Sequence, residues 1–337
     1  MSARGMAAWV LAFALAACNP GFAPEPTPRP SVPDYEAEGM PTPAPLDQAA
    51  VPVVALAGLP HHRVDVPGGP DWLAQDADRG GIFVKLDRGD VAELDPATGA
   101  VLRTLGAPAP LCQGIGAGFG GVWTCGGAGV RRLEIASGEQ TRDLPVRKAF
   151  EQGHLPAAFG QVWVLTGTGE ELVGLNPADG SVATTVALDA RGHDLVFAPE
   201  ALWVVSGPDD LVLGLYPRQD VVAMRIGGID NPRAVAVARD VWVAAPSGVY
   251  RIDRTTGALL GAIGLPLGQD TAIAADPNDV WVRSAAGFLH RIDARTGEVV
   301  ERIDAGIAGG GDVLLTPDAV WVTAYDANVV VRLARQR

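Results

Sequence analysis

Lysine is almost missing from this chain. Lys85 and Lys148 stand beside 24 arginines, and the 26 basic residues face 39 acidic ones, a formal net charge of −13. No block of clustered Lys and Arg offsets that balance. On average this makes the chain a poor nucleic-acid binder, whose phosphate contacts need clustered Lys and Arg, and works against broad adsorption to anionic lipid. Cysteine is scarce too, with Cys18, Cys112 and Cys125 only, and C-x-x-C, H-E-x-x-H and G-x-S-x-G are all missing. The stretch "GAGFGG" (116–121) fits G-x-G-x-x-G in form. It runs into the strand-like "VWT" and not into a helix whose N-terminus could hold a pyrophosphate. No sustained 3.6-residue period occurs between 60 and 337, so helix is expected to be scarce. Long apolar runs are also lacking. The run "AAWVLAFALAAC" is shorter than the roughly 20 residues of a spanning helix.

That run instead fits a secretory signal peptide. It ends in Leu15-Ala16-Ala17-Cys18, which resembles a bacterial lipobox and implies cleavage before Cys18 and a lipid on its sulfur. Residues 1–17 are then the signal. Residues 18–50, with nine prolines in 19–50, read as an extended tether, and 51–337 as the folded domain. At ~3.1 Å per residue such a tether reaches up to roughly 100 Å.

Glycine (42) and proline (27) are abundant and mark many turns. Between them one phrase recurs. "VW" or a near equivalent centres on Trp123, Trp163, Trp203, Trp242, Trp281 and Trp321, with Phe83 one step earlier, at spacings of 39 or 40 residues. Each copy holds four short β-branched or aromatic runs bounded by turn residues; in the sixth they are "TAIAA", "VWVRS", "FLHRID" and "EVVERID". Seven four-stranded units at this period predict an all-β, seven-bladed β-propeller. The seventh copy stops one strand short, and "HHRVDVP" (61–67) is a spare strand ahead of the first. The last blade is therefore expected to be closed by this N-terminal strand, which removes an open edge.

The aromatic series is expected to pack one blade on the next. The element D-x-x-T-G (Asp95/Thr98/Gly99, Asp253/Thr256/Gly257, Asp293/Thr296/Gly297) is expected to make the outer hairpin, with Asp and Thr bonding the turn and Gly taking positive φ.

The combined pattern "VWV…RIDxxTGxV…I" resembles the YVTN-type and virginiamycin B lyase-like propellers. The resemblance covers residues 60–337 and implies the seven-bladed fold. Family activities range from lyases to binding modules, so it implies no single chemistry. Bordering quinoprotein-like propellers place a Trp four residues after the Gly of D-x-x-T-G, where this chain has Arg103, Gly261 and Glu301. Nor does any Trp-Asp dipeptide of the WD type occur.

In a propeller the starts of the innermost strands border the central opening. Those positions and their neighbours gather Asp71, His154, His193, Asp194, Arg233, Asp270 and Asp312. Either each begins a strand at a wet surface, or together they hold a small polar ligand or a cation, Ca²⁺ or Mg²⁺ through oxygen ligands. Cys112 and Cys125 lie on neighbouring strands of the second copy, and an exported compartment favours their disulfide. His61, His62 and His290 read as ordinary strand residues. The expectation is a monomeric, lipid-anchored module of the bacterial cell envelope that binds a ligand or protein, with a metal-assisted lyase or hydrolase at the mouth as the alternative.

Overall fold

A computed structural model describes residues 34–35, 43–47, 50–106, 113–126, 129–149, 152–217 and 221–335. Each sequence repeat forms one antiparallel sheet. The seven blades span 70–105, 115–144, 157–187, 194–227, 234–264, 272–304 and 313–334, the last completed by His61–Asp65. Within a blade the strands run from inner to outer edge in chain order. The only helical turn among the described residues is Leu56–Gly58. The seven-bladed propeller expected from the repeat is thus the observed fold.

Closure occurs as the missing seventh-copy strand requires. His61–Asp65 pairs antiparallel with Val329–Ala334, with His62 opposite Arg332 and Val64 opposite Val330. Two termini in one sheet leave no terminal blade unpaired, so both ends of the chain carry part of the ring's stability.

The aromatic repeat makes the blade interfaces. Seven apolar clusters each join an aromatic of one blade to the strands of the next: Trp163 meets Leu195 and Val204, and Trp203 meets Val235 and Val243. Trp321 of blade 7 meets Ile82 and Val84 of blade 1, completing the circle. The partner strand adds a clamp. Arg132, Arg251 and Arg332 sit opposite Trp123, Trp242 and Trp321 with their guanidinium carbons 5.3 to 5.7 Å from the indole centroids. The same three side chains donate to Pro177, Arg295 and Pro96 carbonyls in the outer hairpin of the following blade. Stacking and hydrogen bonding thus fasten neighbouring blades at one point.

Those hairpins are the D-x-x-T-G turns. Asp95 Oδ1 accepts from the amides of Ala97 and Thr98 and from the Thr98 hydroxyl. Gly99 at φ 79° closes the turn by donating to the Asp95 carbonyl.

Residues ahead of the first blade also meet the ring. Asp34–Tyr35 pairs in parallel with the outer strand of blade 4, Pro45 bridges Gly264 of blade 5, and Val53–Ala55 pairs in parallel with blade 6. Leu46 and Val51 pack on the blade 5–6 cluster. Proline is compatible with this because an edge strand uses only alternate backbone groups for pairing.

Candidate functional site

Because sheets are antiparallel, inner strands begin and second strands end on the same face, called the upper face below. There the structure brings three of the expected residues together. His154, just ahead of the short inner strand of blade 3, places Nδ1 2.8 Å from Asp194 Oδ1 of blade 4 and Nε2 3.2 Å from Asp312 Oδ2 of blade 7. Both ring nitrogens face carboxylates, the arrangement of an imidazolium. Burial opposes that charge, but Asp194 and Asp312 outweigh it and hold the His154 pKa well above its usual value. Trp72 of blade 1 meets the ring edge-on at 5.1 Å.

The carboxylates have further duties. Asp312 Oδ2 accepts from the Leu73 amide at 2.8 Å and Oδ1 from the Val313 amide at 2.8 Å. Asp194 Oδ2 accepts from the Val235 amide at 3.4 Å. Leu73 and Val235 each lie on the inner strand of the blade that follows. Both aspartates therefore stitch consecutive inner strands while holding His154. Their side chains are 2% exposed, and charges so buried persist only when paired and hydrogen-bonded.

Around this centre lie groups with displaced pKa values. Burial, then Asp312 and Asp87, push the Asp71 carboxyl up to about 7. The Asp71 carbonyl accepts from the Thr323 hydroxyl. Arg283, wholly buried, donates to the carbonyls of Asp270, Ile307 and Gly310. Burial draws its pKa down while Asp312, Asp71 and Asp270 act to raise it. The chain's two lysines are on this face as well. Burial lowers Lys85 to about 8, and burial with the nearby Lys85 charge lowers Lys148 to about 7.

The remaining expected residues divide. Asp270 lies beside Arg283, at the edge of the cluster. Arg233 Nε donates to the Gln269 carbonyl, and His193 Nε2–H donates to the Arg233 carbonyl at 2.9 Å. These two residues link blades 4, 5 and 6 to one another and do not join the centre. Among the described residues no group of three or more His, Cys, Asp or Glu is arranged to hold a metal ion. Cys125 is disulfide-bonded; Cys112 and Cys18 lie outside the described residues.

Sequence reasoning missed Lys85, Arg283 and Thr323. The signal was in the repeat. Two residues after the aromatic, the seven copies read Lys85, Cys125, Leu165, Val205, Ala244, Arg283 and Thr323. A charged residue at an otherwise uncharged interior position marks a place where the upper face departs from pure packing. Trp72 had no such signal, since it falls outside the repeated phrase.

No family model and no curated protein matches the chain. Among solved structures it is similar to BamB from Moraxella catarrhalis. The TM-score is 0.56 and the identity 14%, over 79% of this chain and 82% of that one. At that identity the likeness is one of fold.

Proposed function

We propose that this chain is a lipid-anchored, extracytoplasmic propeller of the bacterial cell envelope that acts as a monomeric protein-interaction module. The observation that carries the reading is the state of the mouth. All four carboxylate oxygens of Asp194 and Asp312 are taken, by His154 and by the amides of Leu73, Val313 and Val235. A cation bound there would have to displace the His154 imidazolium that already bridges both carboxylates, so the mouth suits a keystone better than a metal-assisted lyase or hydrolase. The outside of the ring offers a surface for recognition. It exposes Leu102, Val182, Leu260 and Val300, each about half accessible, on four separate outer strands. Scattered apolar groups on a rigid rim suit a partner that grips an edge more than a ligand that fills a hole. The acidic surface favours partners with basic segments.

The test places a photo-crosslinking residue in turn at Leu102, Phe197, Val182 and Tyr325 in whole cells. Discrete adducts from one side of the ring are expected. No adduct at any position would overturn the interaction reading. Calorimetric titration of Ca²⁺ and Mg²⁺ into the purified protein is expected to be silent, and micromolar binding that His154→Gln abolishes would favour the metal reading.

A further inference from the structure

The N-terminal segment shows how a blade of this propeller accepts an added strand. It pairs at equivalent places on three consecutive blades, each time in parallel. Tyr35 is opposite Ile226, Pro45 opposite Gly264, and Val54 opposite Ile303. Ile226, Ile263 and Ile303 are equivalent because each pairs inward with the corresponding third-strand residue, Val212, Val249 or Leu289. On blade 5 the next residue faces outward. Gly264 donates to the Ala44 carbonyl at 2.9 Å and accepts from the Leu46 amide at 3.0 Å.

Blade 3 offers the same edge without an occupant among the described residues. Val186 pairs inward with Leu172, and Leu188 donates back to the Glu170 carbonyl. Ala187 between them therefore presents its own N–H and C=O outward, as Gly264 does. Val182, Thr185 and Ala187 are exposed. Blade 2 is different, since Pro145 holds the outward position after Leu144 and has no N–H to give.

A cleft of about 510 Å³ opens at the end of the blade 3 edge. Its wall includes Ala187 itself with Glu170, Glu171, Asp189, Asp209 and Arg191. Four carboxylates face one guanidinium, and Arg191 is already paired with Asp209 at 3.4 Å. The blade 4 outer strand that holds Asp34–Tyr35 adjoins this place, because Arg225 donates to the Leu188 carbonyl at 3.0 Å. The cleft and open edge thus continue the interface that the chain's own segment already uses.

We infer that the outer edge of blade 3 is a strand-addition site for an extended segment of a partner protein. The segment runs parallel to Val182–Ala187 and carries Lys or Arg just beyond its paired residues. Main-chain bonds at Ala187 supply the affinity and the acidic cleft the selectivity, the division of labour of strand addition in general. Parallel direction puts the segment's C-terminal side at the cleft. This rests on the interaction-module reading above and names its partner's chemistry.

The probe is a labelled peptide of this chain's residues 51–57 followed by two arginines, titrated by fluorescence anisotropy into the full-length Cys18→Ser protein. Saturable binding is expected. Ala187→Pro should weaken it at least tenfold, Glu170→Arg at least threefold, and exchange of the peptide's arginines for glutamates at least tenfold. Hydrogen exchange should slow at 185–187. Circular dichroism and melting verify the fold of each variant, and Glu170→Arg retains the test if Ala187→Pro does not fold. Binding untouched by either variant, protection at blade 6 instead of blade 3, or no binding at millimolar peptide overturns the proposal. So does binding that appears only after residues 1–33 are removed, which would make the chain's own segment the occupant. Dimerisation lost in Ala187→Pro would overturn it in favour of a second copy. Failure here with crosslinks at other blades leaves the module reading standing; absence of crosslinks everywhere removes both.

Discussion

His154 Nε2 lies 3.2 Å from Asp312 Oδ2, although the two residues are 158 positions apart and belong to blades 3 and 7. With Asp194 on the other nitrogen, one imidazolium ties together blades that share no sheet.

Removing that cation strands two buried carboxylates. His154→Ala is expected to cost about 3–5 kcal/mol, the usual penalty for breaking a buried pair from one side. The pH dependence follows from the raised pKa of His154. Its contribution is complete below the unfolded value near 6.5 and is lost as pH rises through the higher folded value. The stability gap between parent and variant should therefore narrow at alkaline pH. Urea titrations at pH 6 and pH 10 measure it, and an equal gap at both would contradict the bridge.

Asp71 gives a second signature. Its carboxyl is raised from 3.8 to about 7 in the fold. An acid with a raised pKa favours folding below its unfolded value, and that help disappears as pH climbs from about 4 to about 7. Asp71→Asn should thus leave the protein more stable than the parent at pH 8, by up to roughly 4 kcal/mol at 1.36 kcal/mol per unit. The advantage should vanish near pH 4. Melting at the two pH values checks the sign.

The blades were legible because their residues repeat. A Trp every 39 or 40 positions and three D-x-x-T-G turns report local strand and hairpin physics that each copy must satisfy alone. The mouth was half legible. Strand starts can be counted, so Asp194 and Asp312 could be placed with His154. Which way a side chain turns depends on its neighbours in other blades, and Arg233 and His193 turned along the ring. The pairing of the N-terminal segment with the blade edges was hidden because proline richness argues against regular structure. It does not argue against three short edge pairings that leave proline nitrogens facing away.

Those pairings set a graded truncation series. Deleting residues 1–50 removes the contacts with blades 4 and 5, which involve few bonds on exposed edges. A fall in melting temperature of a few degrees is expected. Extending the deletion through residue 70 also removes Leu56, buried in the blade 6–7 core, and the outer strand of blade 7. A much larger fall with aggregation is expected, because the ring then has an open edge. Similar melting curves for both truncations would show that closure does not depend on His61–Asp65.

The address can be tested apart from the fold. Cys18→Ser should move the protein from the membrane to the soluble fraction with its melting temperature unchanged, because position 18 precedes every described residue that pairs with or packs on the blades. Retention on membranes through an alkaline wash, with residues 1–17 shown by mass to have been removed, would rule out the lipid anchor.

The closing interface separates packing from clamping. Trp321 is fully buried against Ile82 and Val84, and Trp321→Ala should cost about 3–5 kcal/mol, as large aromatic deletions do. Arg332 covers its ring, donates to the Pro96 carbonyl at 2.8 Å and pairs with the exposed carboxylate of Asp318. Arg332→Met preserves an apolar cover while deleting the charged bonds. Asp318 can rehydrate, so the loss should be smaller, about 1–2 kcal/mol. The double variant should lose less than the sum, since the guanidinium stacks on the indole that the first change removes. Full additivity in denaturant titrations would mean that ring closure relies on apolar burial and not on the stacked clamp.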